Sequence, residues 1–101
     1  MKIVFHPKYL EAYDMTPAGK AGRLEPIYRL LKNQKHFQLI KPKPASLEQV
    51  AQAHSVPYID SLKNFKSSRE KEIYKMALLS AGGAIKTADL ASQGDAAFGL
   101  I

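Results

Sequence analysis

The apolar positions of this chain change period several times, and each change marks an element. Ile3, Val4 and Phe5 form a β-branched and aromatic run halted at Pro7, which predicts a short buried strand. Asp14 to Gly22 holds a Pro, two Gly and several small residues and reads as a long loop. From Arg23 the spacing turns helical, with Leu24, Ile27, Leu30 and Leu31 on one side and Pro26 in the first turn. That helix is expected to run to about Lys35, with Lys32 and Lys35 suiting its C-terminal dipole. Phe37 to Ile40 is a second short strand, stopped by Lys41-Pro42-Lys43-Pro44.

The second half predicts helices. Ser46-Leu47-Glu48-Gln49 has capping-box spacing and opens a short helix with Val50, Ala51 and Ala53 on its apolar side. Ser55-Val56-Pro57 starts another, carrying Ile59 and Leu62. Ser67 with Glu70 repeats the box ahead of the longest helix, about 69–92, whose expected stripe is Ile73, Met76, Ala77, Ala84, Ala88 and Ala91. Gly82 and Gly83 inside it each cost ~1 kcal/mol relative to Ala, which is accepted where two backbones approach closely. Gly94 ends it, and Ala96 to Ile101, apolar without alternation, suits a buried parallel strand. The order β–α–β–α–α–α–β predicts an α/β class with parallel strands.

A length of 101 residues confines the chain to one small domain. With 15 Lys and Arg against 9 Asp and Glu, the net charge of +6 permits an acidic partner without requiring one. The absence of cysteine removes disulfides, cysteine-ligated zinc, iron–sulfur clusters and thiol nucleophiles. No apolar run is long enough for a membrane span, and the N-terminus lacks the features of a secretory signal, so a cytoplasmic protein is expected.

Catalytic chemistry is hard to find by spacing alone. His6, His36 and His54 stand at no metal-ligand spacing, and Asp14, Asp60, Asp89 and Asp95 are scattered. Gly82-Gly83 has helical context on both sides and is no phosphate loop. The basic residues spread over several elements, so a nucleic-acid surface is the weakest of the functional classes and would show as salt-steep heparin binding.

Four segments together resemble the histone deacetylase-like zinc amidohydrolases, the superfamily of the acetoin-utilisation and acetylpolyamine deacetylases. Met1-Lys2-Ile3-Val4-Phe5-His6-Pro7 is similar to the opening strand, and Arg23-Leu24-Glu25-Pro26-Ile27 to the R-L-x-x-I helix start. Ala53-His54-Ser55-Val56-Pro57-Tyr58-Ile59 resembles the H-S-x-x-Y junction, and Ala77 to Ile85 the A-x-x-A-x-G-G helix. They occur in the family's order and span essentially the whole chain.

The resemblance implies a small three-layer unit, residues 1–101, like the N-terminal part of the arginase/deacetylase fold. It would have a three-stranded parallel sheet in the order 2-1-3 and about four helices. Arg23 would lie near the floor of the active site beside an internal channel, although Thr16 to Gly22 replaces the family's G-H-P-E-x-P before it. His54 and Tyr58 are expected to form an anchored turn between two helices, His54 making a structural hydrogen bond and Tyr58 packing on the sheet. Gly82 and Gly83 are expected to be packing contacts. In the family, the strand matched by Phe98-Gly99-Leu100-Ile101 leads into R-P-P-G-H-H-A, with the acid–base histidines, and the zinc ligands come later. No residue of this chain matches them, so catalytic and metal residues are assigned to none, and the chain alone is expected to be inactive.

Two accounts of different kind follow: the N-terminal portion of a zinc deacetylase, partnered by the remainder of its catalytic domain, or a free-standing α/β interaction module. In either, the outer edge of the last strand would be open, and a homodimer or self-association through Phe98 to Ile101 is expected.

Overall fold

Ile3 and Val4 point to opposite faces of their strand, as its two-residue period requires, and both are almost wholly buried. A strand covered on both faces belongs at the centre of a sheet. The computed structural model, which describes residues 1–101, places it there. The elements in chain order are β1 (Lys2–Val4), a short 3-10 helix (Pro7–Leu10), α1 (Glu25–Leu31), β2 (Gln38–Ile40), α2 (Leu47–Val50), α3 (Val56–Lys63), α4 (Ser68–Ser92) and β3 (Ala97–Gly99). The sheet is wholly parallel in the order β2-β1-β3, which is the predicted α/β arrangement.

Register sets which helix covers which face. Leu39, Ile3 and Phe98 form one row across the sheet, and Ile40, Val4 and Gly99 the next. The two crossovers run in opposite directions, so right-handed connections put α1 on one face and α4 on the other. Side-chain contacts agree. Phe5, on the Ile3 face, stacks on Tyr28 of α1 with ring centroids 4.3 Å apart. On the Val4 face, Thr87 of α4 stands over Gly99, where a Cβ would come within 2.9 Å of its hydroxyl. Between the layers, Ile3, Phe5, Tyr9, Leu24, Leu79 and Leu100 form the main core cluster.

Both helices are rotated from the expected orientation. In α1 the inward residues are Leu24, Tyr28 and Leu31, whereas Ile27 and Leu30 are exposed, Leu30 at 69%. The ring stack on Phe5 decides this, because it turns Tyr28 rather than Ile27 toward the sheet. The helix also stops at Leu31, short of Lys35, while Lys32 places its amine 5.6 Å from the Tyr28 ring. In α4 the buried residues are Leu79, Gly82, Gly83 and Leu90. Ala77, Ala84, Ala88 and Ala91 of the expected stripe lie exposed. Glycines carry no hydrophobic signal, yet here they select the buried side by letting backbone come close.

The closest approach is at Gly82. A Cβ there would meet the Lys43 carbonyl and come within 2.8 Å of the Ala45 nitrogen. Beside it, the Ala45 N–H donates to the Leu78 carbonyl at 2.8 Å, so the linker after β2 is bonded directly to α4. Gly83 leaves room for the Tyr9 hydroxyl and for Ile101. The Tyr9 hydroxyl in turn donates to the Leu79 carbonyl at 2.7 Å. The 3-10 helix after β1 is thereby fastened to the same turn of α4.

Local signals stop and start the remaining elements as predicted, with one difference. Ser46 and Gln49 form the reciprocal capping box, with bonds of 3.1 and 2.9 Å. At α4 the Ser67 oxygen accepts from the Glu70 N–H, but its hydroxyl donates to the Glu70 carboxylate at 2.7 Å. That carboxylate is therefore engaged by the side chain rather than by the N-cap backbone. Gly94, at φ +94, closes the helix as the left-handed C-terminal residue. Lys2 and Asp95 pair at 2.6 Å and tie the start of β1 to the turn before β3.

Gly82→Ala is expected to destabilise the fold by about 2–3 kcal/mol, the cost of overpacking against backbone, despite its gain of ~1 kcal/mol in helix propensity. A lower urea midpoint at unchanged slope would register it, and an unchanged midpoint would refute the crossing. Burial pushes the Tyr9 phenol up from 10.0 to about 12. Since its folded value lies above its unfolded one, its stabilising contribution is complete below pH 10 and is lost as pH rises toward 12. Ultraviolet titration of the wild type against Tyr9→Phe is expected to show one late-ionising tyrosine.

Candidate functional site

In an open parallel sheet, ligands bind beyond the carboxyl ends of the strands, where neighbouring connections leave in opposite directions. Here the connection after β1 leaves toward β2, away from β3, so the carboxyl ends of β1 and β3 border an uncovered crevice. The residues that follow these strands are Phe5, His6 and Pro7 on one side and Leu100 and Ile101 on the other. The Leu100 N–H donates to the Val4 carbonyl at 2.9 Å, which holds the two strand ends together.

Arg23 comes to this place from the loop before α1. One guanidinium nitrogen donates to the Ile101 carbonyl at 3.1 Å, across 78 positions of sequence. Leu24 beside it is buried in the core, so the backbone is anchored while the guanidinium stays exposed. Arg23 therefore offers further N–H donors beside the carboxyl ends of β1 and β3, suited to a carbonyl, carboxylate or phosphate oxygen.

Spacing alone gives His6 no metal-ligand role, and its importance is geometric. It caps the 3-10 helix, its Nδ1 accepting from the Lys8 N–H at 3.1 Å. With Nδ1 so used, the proton of the neutral ring is assigned to Nε2. Desolvation, followed by the Lys41 and Lys8 charges, holds His6 below its usual 6.5, with Glu11 opposing. The ring is thus neutral at pH 7. The sequence signal was its position directly after a buried strand.

The other singled-out residues lie elsewhere. His54 and Tyr58 sit at the junction of α2 and α3, their rings 5.4 Å apart. Ser55 does cap α3 there, but both rings are exposed, and Tyr58 does not pack on the sheet. His54 makes no side-chain hydrogen bond to the protein, because the turn is held by its backbone N–H donating to the Val50 carbonyl at 3.1 Å. Together these rings border a small apolar groove of 210 Å³ against Ala77, Leu78 and Ala81 of α4. Gly82 and Gly83 are inside α4 at the crossings described above.

Two further features bear on chemistry. Lys41, Lys43 and Lys86 line a polar cleft of 360 Å³ between the β2–α2 linker and α4, accompanied by Asp89 and by no aromatic residue. No three His, Asp or Glu side chains converge in a way that could hold a metal ion. No helix is long and apolar enough to cross a membrane.

An NMR titration is expected to give His6 a midpoint below 6.5, rising toward that value in Lys41→Gln. A midpoint that ignores Lys41 would show that the Lys41 charge does not act on the ring. Because the folded value is lowered, stability is expected to fall as pH drops below 6.5. No protein-family model, curated protein or solved structure matches this chain, so the comparisons assign it to no family.

Proposed function

We propose that these residues form the N-terminal portion of a zinc-dependent, histone deacetylase-like amidohydrolase of the cytoplasm. Its substrate class would be acetyl-lysine or an acetylated polyamine. The observation that carries this is Arg23. The family motif places an arginine beside the floor of the active site, and here Arg23 reaches the Ile101 carbonyl beyond the end of β3. The other three matched segments fall on β1, the α2–α3 junction and the glycine crossing of α4. Zinc and the acid–base histidines would come from the remainder of the catalytic domain, so this chain would bind and orient substrate through Arg23 without performing hydrolysis.

A second account, a free-standing interaction module, draws on a different observation. Ile27, Leu30 and Phe98 are large apolar residues left exposed on α1 and β3, while only 14 of the 101 residues are buried. Such surface suits contact with other protein. The reading frame beyond codon 101 separates the two accounts. R-P-P-G-H-H-A there identifies a deacetylase portion, and a stop codon identifies a module.

The isolated chain is expected to give no turnover of a fluorogenic acetyl-lysine substrate with added zinc. Turnover that a chelator abolishes would overturn the assignment of catalysis to other residues.

A further inference from the structure

The polar cleft beside α4 is shaped by the crossing at Gly82. No side chain fits between Gly82 and the Lys43 carbonyl, so the linker after β2 runs directly over the helix. Lys41 and Lys43 each precede a proline, which keeps their backbone extended. In extended chain, residues two apart point to the same side. Pro42 is buried, and the lysines on either side of it are both exposed. Lys86 stands one turn along α4 from Gly82, on the same side of the helix, and is half-buried. The three lysines therefore border one cleft of 360 Å³.

No carboxylate pairs with these lysines. The ion pairs of the fold join Lys2 to Asp95, Arg29 to Glu25 and Lys75 to Glu72. Asp89 lines the cleft and forms no ion pair with Lys86. The remaining polar groups are donors too. In the capping box the Ser46 oxygen accepts from the Gln49 N–H, and the Gln49 side-chain oxygen accepts from the Ser46 N–H. These bonds use the acceptor sides, so the Ser46 hydroxyl proton and the Gln49 amide hydrogens are left to donate. The Lys43 N–H also donates to no group of the protein. Three ammonium groups against one carboxylate, with donors beside them, suit a ligand bearing acceptor oxygens and two negative charges. A phosphate monoester carries about −1.5 to −2 at pH 7 and exposes strong acceptor oxygens.

We propose that this cleft binds the phosphate group of a small phosphorylated molecule. Lys41, Lys43 and Lys86 neutralise the dianion, and Ser46 and Gln49 donate to its oxygens. The volume is that of a small-ligand cleft. The lining has no aromatic side chain on which a base could stack, which favours a small ligand over a strand of nucleic acid. Asp89, one turn beyond Lys86, opposes the anion and limits its affinity. The linker is held by its buried proline and by the Ala45 N–H bonded to the Leu78 carbonyl, so two of the lysines start from a fixed backbone. No residue of the Arg23 site takes part, and binding here is separable from the deacetylase assignment.

An NMR titration of the isotope-labelled chain with inorganic pyrophosphate tests it. Saturable amide shifts are expected at Lys41, Lys43, Ser46, Gln49 and Lys86, and none in the first turn of α4. Lys43→Gln and Lys86→Gln are each expected to raise Kd about fivefold, the upper range for an exposed charge pair. Asp89→Asn is expected to lower Kd, because it removes the opposing charge. Lys71→Gln, about 22 Å from Lys86 along α4 at 1.5 Å per residue, is expected to leave it unchanged. The wild-type map stands even if a variant fails to fold. Shifts that never saturate, an equal loss in Lys71→Gln, or an Asp89→Asn variant that binds no more tightly would each overturn the proposal. So would duplex DNA that moves the same amides at a lower phosphate concentration, which would assign the cleft to nucleic acid.

Discussion

The fold depends on one backbone-to-backbone crossing. At Gly82 helix α4 lies so close to Lys43, Pro44 and Ala45 that no side chain fits between them. Main-chain contact of this kind is stiff, since it has no rotamer through which to relax. It fixes how far α4 stands from the sheet and which of its sides turns inward. At the next residue, Gly83 admits the Tyr9 hydroxyl, and Tyr9 bonds to the Leu79 carbonyl. The linker after β2 and the 3-10 helix after β1 thus share one anchor. The segments that follow β1 and β2 are thereby held from one turn of α4.

That anchoring gives the candidate site its character. His6 and Ile101 follow strands that are bonded to each other, and Arg23 reaches them from a loop whose next residue, Leu24, is buried. The arrangement supplies hydrogen-bond donors, a neutral imidazole and a basic surrounding, but no converging acids. It can orient a polar oxygen.

Much of the local structure was legible because its causes are local. Pro7 stops β1, the Ser46–Gln49 box starts α2, Ser55 and Ser67 cap α3 and α4, and Gly94 closes α4. Each works through atoms a few residues away. The parallel class was legible too, since strands separated by helices leave few alternatives. The sides of the helices were not legible. In α4 the alanines suggested one face and the glycines occupied the other, because close backbone approach outweighs a few methyl groups. In α1 the Tyr28–Phe5 stack turned Ile27 and Leu30 outward against their hydrophobicity.

The candidate site divides in the same way. Arg23 could be singled out by its motif, whereas the significance of His6 required knowing that β1 and β3 are neighbours. His54 and Tyr58, adjacent in a recognisable motif, proved to be exposed rings beside a capped turn. By itself the sequence determined where elements begin and end, the α/β class and the absence of thiol chemistry, all matters of residue type and short-range hydrogen bonding. Only the tertiary structure decided which helix faces are buried and that Arg23 meets Ile101. Those outcomes depend on contacts between residues far apart in the chain, and no local period encodes them.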